Sequence, residues 1–225
     1  TIKLKAGEKK ADVNGTAVTL DAGIVMREGK TYVPLRFVSE TLGGYASYDA
    51  AGKRTIVRTP SGQEKFETLQ SGDLTEAREI AIDLFWDAFG YAYSEGSELL
   101  APTGEGFNYG YIFPRGEALR FLVSFKGLDN YVEIDGTGVA QIKWQRDDYG
   151  NGEGPREYGE EPEEFGGIVY FIDSIMNETI LFGTLDENGN DTELGRIDYS
   201  SYSGDPSFKG KQAVPIEGEE RIDGK

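Results

Sequence analysis

One stretch of the chain, Gly29-Lys30-Thr31-Tyr32-Val33-Pro34-Leu35-Arg36-Phe37-Val38-Ser39-Glu40-Thr41-Leu42-Gly43-Gly44, reads as a strand, a helix and a stop in sixteen residues. Lys30 to Val33 is a short extended run. Pro34 suits the first helical position, where the amide it lacks would have no partner. Leu35, Val38 and Leu42 then recur at i, i+3 and i+7 with Phe37 beside them, and Arg36, Ser39, Glu40 and Thr41 take the other side. One face is expected to bury and the other to meet water, and Gly43 supplies a left-handed stop.

The sequence on either side builds a small sheet around that helix. Asn14-Gly15 lies between Ala11-Asp12-Val13 and Thr16-Ala17-Val18, a hairpin signal because both turn residues tolerate positive φ. Ile24-Val25-Met26 leads into a turn at Arg27-Glu28-Gly29. Tyr45 to Tyr48 and Thr55 to Arg58 bracket a further hairpin loop. Residues 1–60 are therefore expected to be a small twisted antiparallel sheet packed on one helix.

Val13-Asn14-Gly15, the spacer with Leu20-Asp21, the Gly29 to Gly44 stretch and the closing Lys53-Arg54-Thr55-Ile56 resemble the copper amine oxidase N-terminal-like, or stalk, domain. The resemblance implies a small α+β module of exported, cell-envelope-associated proteins of Gram-positive bacteria, often joined to unrelated domains. It does not imply copper or oxidase chemistry, which in copper amine oxidases belongs to a different domain with three histidines and a quinone.

This chain has neither histidine nor cysteine. That removes thiolate nucleophiles, disulfides, Cys/His zinc sites, imidazole-bound copper or iron, and a Ser-His-Asp relay. A metal would have to be held by oxygen, which means calcium or magnesium. Charge divides the chain: residues 1–60 carry 10 basic and 6 acidic residues, a net of +4, whereas residues 61–225 carry 13 and 34, a net of -21. Such an acidic field repels nucleic acid and anionic lipid. No run approaches the roughly 20 apolar residues of a membrane helix. The sequence opens at Thr1 rather than Met, so it carries no information about an export signal.

Composition turns acidic around Pro60-Ser61-Gly62-Gln63-Glu64, which reads as a linker into a second domain, 61–225. Asp73 and Glu76 have capping-box spacing, and Ala77, Ile80, Ala81, Leu84, Phe85, Ala88 and Tyr91 or Ala92 follow with helical period. This predicts one long amphipathic helix. Strands are expected at 107–113, 119–125, 131–134, 139–144, 168–175, 179–185 and 194–199, joined by turns such as Asp135-Gly136 and Asn188-Gly189. The fold class is thus α+β, with a larger, mostly antiparallel domain after the small one. Residues 203–225, polar and glycine-containing, are expected to hug the surface or fray.

The candidate sites are few. Asp186, Asn188 and Asn190 have the oxygen spacing of a calcium loop, but Asp191 stands where the loop needs glycine and Ile197 where it needs glutamate. The turn rules favour a solvated hairpin there. Tyr109 and Tyr111 alternate with Phe107 and Phe113, a stripe that stacks on sugar rings if exposed and forms core if buried, burial being favoured. Segment 147–167 holds eight acidic residues and the single base Arg156; carboxylates this dense could bind calcium or a cationic partner, but the pattern favours a hydrated loop and not a packed element. Glu133 and Asp135 share a strand face as a carboxylate pair, one among many.

The expected protein is a secreted envelope-associated binding or structural protein, with cell-wall polymer, glycan or an envelope protein as partner, no cofactor and calcium as the weak exception. The alternative is an extracellular carboxylate-dependent hydrolase with its site in the second domain.

Overall fold

The computed structural model describes residues 1–50, 52–94, 96–199 and 212–224. The fold is α+β and divides into two compact units, Thr1–Phe66 and Glu67–Lys225.

In the first unit, strands β1 (Ile2–Leu4), β2 (Lys10–Val13) and β3 (Thr16–Thr19) form an antiparallel sheet in that order. Asn14 (φ 52) and Gly15 (φ 89) make the β2–β3 turn, with the Gly15 amide donating to Asp12 at 3.0 Å. Strands β4 (Val25–Arg27) and β5 (Lys30–Tyr32) pair through Glu28 and Gly29, also at positive φ. Helix α1 (Leu35–Thr41) follows, then the hairpin β6 (Tyr45–Asp49) and β7 (Arg54–Arg58). The single expected sheet is thus three small antiparallel pieces.

Pro34 (φ -52, ψ 128) is the cap residue just before α1, one position earlier than expected, and Gly43 (φ 79) ends the turn. The expected buried face is displaced. Leu35, Val38 and Leu42 are exposed, Leu42 at 76%, while Phe37 and Ser39 are buried. A helix of seven residues is too short for its stripe to dictate the docking. The largest ring does so instead, and Phe37 completes a core with Ala11, Leu20 and Ile24, flanked by Val13, Val18 and Val33.

The expected linker at 60–64 is the start of helix α2 (Pro60–Ser71). Thr59 caps it, its hydroxyl accepting the Gly62 amide at 3.1 Å and its carbonyl accepting Gln63. Helix α3 (Leu74–Ser94) is the long amphipathic helix. Asp73 caps it by accepting the Thr75 and Glu76 amides at 2.9 and 3.1 Å.

The second unit is built on one eight-stranded sheet. Its strands are β8 (Asn108–Pro114), β9 (Arg120–Phe125), β10 (Leu128–Ile134), β11 (Ala140–Asp147), β12 (Arg156–Gly159), β13 (Ile168–Ser174), β14 (Thr179–Leu185) and β15 (Asp191–Asp198). The order is β12-β11-β10-β9-β8-β13-β14-β15, antiparallel throughout, with bulges at Tyr131/Val132 and Phe182/Gly183. Alternation gives the sheet an inner and an outer face. The inner face, with Tyr111, Phe113, Phe121, Val123, Val132 and Phe171, packs against Ala81, Ile82 and Phe85 of α3.

The C-terminal residues correct another expectation. Residues 203–211 lie outside the described residues, but 212–224 are fastened into the unit. Ala213 and Val214 are buried, and the Gln212 and Ala213 amides donate to Glu79 of α3. The guanidinium of Arg78, 1% exposed, is bidentate to Glu219 at 2.7 and 2.8 Å and also donates to the Glu117 carbonyl. Arg221 donates to the carbonyls of Thr68, Leu69 and Gly72 at the end of α2, and Asp223 accepts the Ala118 and Leu119 amides. Segment 212–224 therefore ties α2, α3 and the β8–β9 turn together.

Candidate functional site

The inner face is closed by packing. Tyr111 is 2% exposed, and its hydroxyl accepts the indole N–H of Trp86 at 3.2 Å. Burial and nearby negative charge push that hydroxyl's pKa well above the ordinary tyrosine value. Tyr109 is half-buried, edge-on to Trp86 and stacked on Phe125 at 6.0 Å. Phe113 is fully buried and Phe107, just outside β8, is exposed. The stripe that includes Tyr109 and Tyr111 is thus not an open stacking platform, because an aromatic row gains more by burying its area under a helix than by remaining wet.

The oxygen-rich residues Asp186, Asn188 and Asn190 form the tight β14–β15 turn. Asp186 accepts the Asn188 and Asn190 amides, each at 2.9 Å, and its second oxygen accepts the Asn190 side chain at 2.9 Å. These bonds hold its carboxyl below the usual carboxylate range. Glu133 and Asp135 are engaged by separate partners. Glu133 stands on the outer face and accepts the Tyr131 hydroxyl, while Asp135 lies beyond β10 and is bonded to Thr137, Val139 and Gln141. Among the described residues no three Asp or Glu side chains come together as a metal ion would need.

The outer face carries the feature that the sequence did not disclose. Registry places Tyr170 opposite Ile112, Ile112 opposite Leu122, Leu122 opposite Tyr131, and Tyr131 opposite Trp144. These five side chains form one apolar row across five strands, outside the inner core. Each end of the row meets a glycine, Gly183 beside Tyr170 and Gly159 beside Trp144. A side chain at Gly183 would collide with the Tyr170 hydroxyl, so the bare backbone there leaves room for the tyrosine to reach Asp191. Burial and that bond push Tyr170 up to about 12. Tyr131 is likewise pushed up to about 12 by burial and by its bond to Glu133, against the pull of Arg120.

Residues 160–167 cross the Trp144 end of this row. Phe165 packs on Tyr131 with ring centres 6.3 Å apart, and Arg120, held bidentately by Glu117, lies over the Phe165 ring. Between strap and sheet is a recess of about 150 Å³ lined by Leu122, Trp144, Pro162 and Phe165, with Glu161, Glu163 and Glu164 at its rim. Trp144 is 6% exposed, and among the described residues its indole N–H has no hydrogen-bond partner. A buried donor left unpaired costs about 1–3 kcal/mol, so it marks a place where an acceptor would be favourable.

The strap is held at its root, where sequence reading favoured a hydrated loop. Asp147, the last residue of β11, is fully buried and accepts from the Thr103 hydroxyl at 2.7 and 2.9 Å and from Arg156 at 2.5 Å. Burial alone would raise the Asp147 carboxyl, but bonds from Arg156, Thr103 and the Tyr149 and Gly150 backbone hold it below the ordinary value. Arg156 opens β12 and also donates to the Ala101 carbonyl at 3.2 Å. The one base in the acidic segment thus turns part of it into an edge strand, and the glutamates of 160–164 follow directly.

Residues 1–57 match the family model of the copper amine oxidase N-terminal domain, a domain typical of secreted and cell-surface bacterial proteins, and the remainder carries no family assignment. No curated protein and no solved structure matches the chain. Among the described residues no helix is long and apolar enough to cross a membrane.

Proposed function

We propose that this is a secreted, cell-envelope-associated binding protein of a Gram-positive bacterium. Its N-terminal domain serves as a scaffold module, and the outer face of its acidic sheet is the surface that takes the ligand. The observation that carries this reading is the row Tyr170-Ile112-Leu122-Tyr131-Trp144 on the sheet face opposite the helix, of which Tyr170, Ile112 and Leu122 stay part-exposed while Tyr131 and Trp144 are buried at the strap end. Aromatic and aliphatic groups gathered in one band, rimmed by charge, are how binding surfaces differ from ordinary solvated sheet faces. An extended partner lying along the band would cross the strands and end at the glutamate-rimmed recess. The N-terminal match supports the address.

Sedimentation with purified Gram-positive wall sacculi tests the reading. The native chain should co-sediment, and Leu122→Glu, which places a charge at the middle of the row, should lose most of that binding while keeping its near-UV circular dichroism. Equal co-sedimentation by the variant would remove the band from the binding surface.

A further inference from the structure

Resting on the reading of the outer face as a binding surface, we infer that the recess beside Trp144 receives a primary alkylammonium group, the end of a lysine side chain on an extended partner polypeptide. The floor of Leu122, Trp144, Pro162 and Phe165 suits methylenes, and the rim of Glu161, Glu163 and Glu164 suits a terminal charge. The volume of about 150 Å³ accepts a chain end and no large ring system.

Nearby cations do not satisfy this rim. Arg146 is paired with Asp148 and Glu157 and feels Glu161 only at longer range, and Arg120 is held by Glu117. Among the described residues neither Glu163 nor Glu164 has an ion-pair partner. Among the described residues no three carboxylates converge as a metal ion would need. A cation carried on an apolar stem does fit, because separate carboxylates around an apolar floor neutralise a point charge without having to share it.

The unpartnered indole N–H selects a polypeptide over a simple amine. Trp144 lines the recess together with residues 161–165, and residues 160–165 belong to no helix or strand, so the strap can shift without breaking sheet pairing. A peptide carries a carbonyl acceptor beside every lysine stem, and that acceptor would answer the donor that the protein leaves unanswered.

The test uses the full chain and its two indole N–H signals in ¹H–¹⁵N spectra. Trp86, already bonded to Tyr111, is the internal control. Three probes of one length are titrated at constant ionic strength: n-butylammonium, 1-butanol and butyrate. Butylammonium should shift the Trp144 signal saturably, and the other two should bind about tenfold more weakly or less. The combined variant Glu161→Gln, Glu163→Gln, Glu164→Gln should lose about tenfold for butylammonium. An acetylated lysine amide compared with its free-amine form should show the same preference for charge. If 1-butanol binds as well as butylammonium, the recess is merely apolar and the cation inference is overturned while the binding face stands. If no probe moves Trp144 yet Leu122→Glu still abolishes wall binding, the inference alone fails. If both experiments are negative, both readings fail.

Discussion

Glu219 is the residue whose loss should cost the second unit most. Its carboxylate is 3% exposed, takes both terminal nitrogens of Arg78, and also accepts the Gly116 amide at 2.7 Å. In Glu219→Ala the guanidinium, 1% exposed, would keep the carbonyls of Glu117 and Pro114 and the Phe113 and Phe171 rings 5.1 and 5.9 Å away, but no charged partner among the described residues. Removing one partner of a buried pair costs about 3–5 kcal/mol, because the remaining charge has no water to turn to. Taking about 4 kcal/mol and a urea slope of about 2 kcal/mol per molar, the unfolding midpoint should fall by about 2 M. Both tryptophans, Trp86 and Trp144, lie in the second unit, so fluorescence reports its unfolding alone. Replacing both partners, Arg78→Met with Glu219→Leu, should recover most of the loss, because two apolar side chains leave no orphaned charge. A fall of less than about 0.3 M for Glu219→Ala would refute the reasoning. It would mean that residues 212–224 do not close the unit as the ion pair implies.

Two further outcomes follow from the strap's anchor and the row's end. Asp147 has its carboxyl held below the ordinary 3.8 in the fold. The ionised form therefore adds stability above the unfolded value, and that contribution is lost as pH falls through the lower, folded value. Asp147→Asn should be less stable than the native chain at pH 7 and lose less between pH 4 and pH 2, followed by urea midpoints at each pH; parallel curves would contradict the anchor. Gly159 sits at φ 78, and a side chain there would collide with the Lys143 carbonyl. Gly159→Ala should destabilise by about 2 kcal/mol or more and release β12, read as faster amide exchange at residues 156–159.

What the sequence disclosed was local. Asn14-Gly15 and Glu28-Gly29 stand at turns because their backbones reach positive φ without help from distant residues. Helix α3 was legible from Asp73 and its period, and the strands at 168–174 and 179–185 from alternation between turn signals. Helix α2 was not legible, although Thr59-Pro60 is the same kind of start as at Pro34. Ser61 and Gly62 are weak helix formers, and the carbonyls that end α2 are held by Arg221, about 150 residues away. Phe37 took the place expected for Leu35 because docking of a two-turn helix is decided by tertiary fit. The outer row was invisible for a related reason. Ile112, Leu122, Tyr131, Trp144 and Tyr170 are ordinary alternating residues of five strands, and only cross-strand registry sets them side by side.

The most direct test of the outer face as the binding surface is oxidative footprinting of the full chain with and without wall sacculi, read residue by residue by mass spectrometry. Bound chain should show protection concentrated at the half-buried Ile112, Leu122, Phe165 and Tyr170, with the exposed Tyr91 and Tyr93 of α3 unchanged. Protection at Tyr91 and Tyr93, or confined to residues 1–66, with the row left as reactive as in the free protein, would contradict the account.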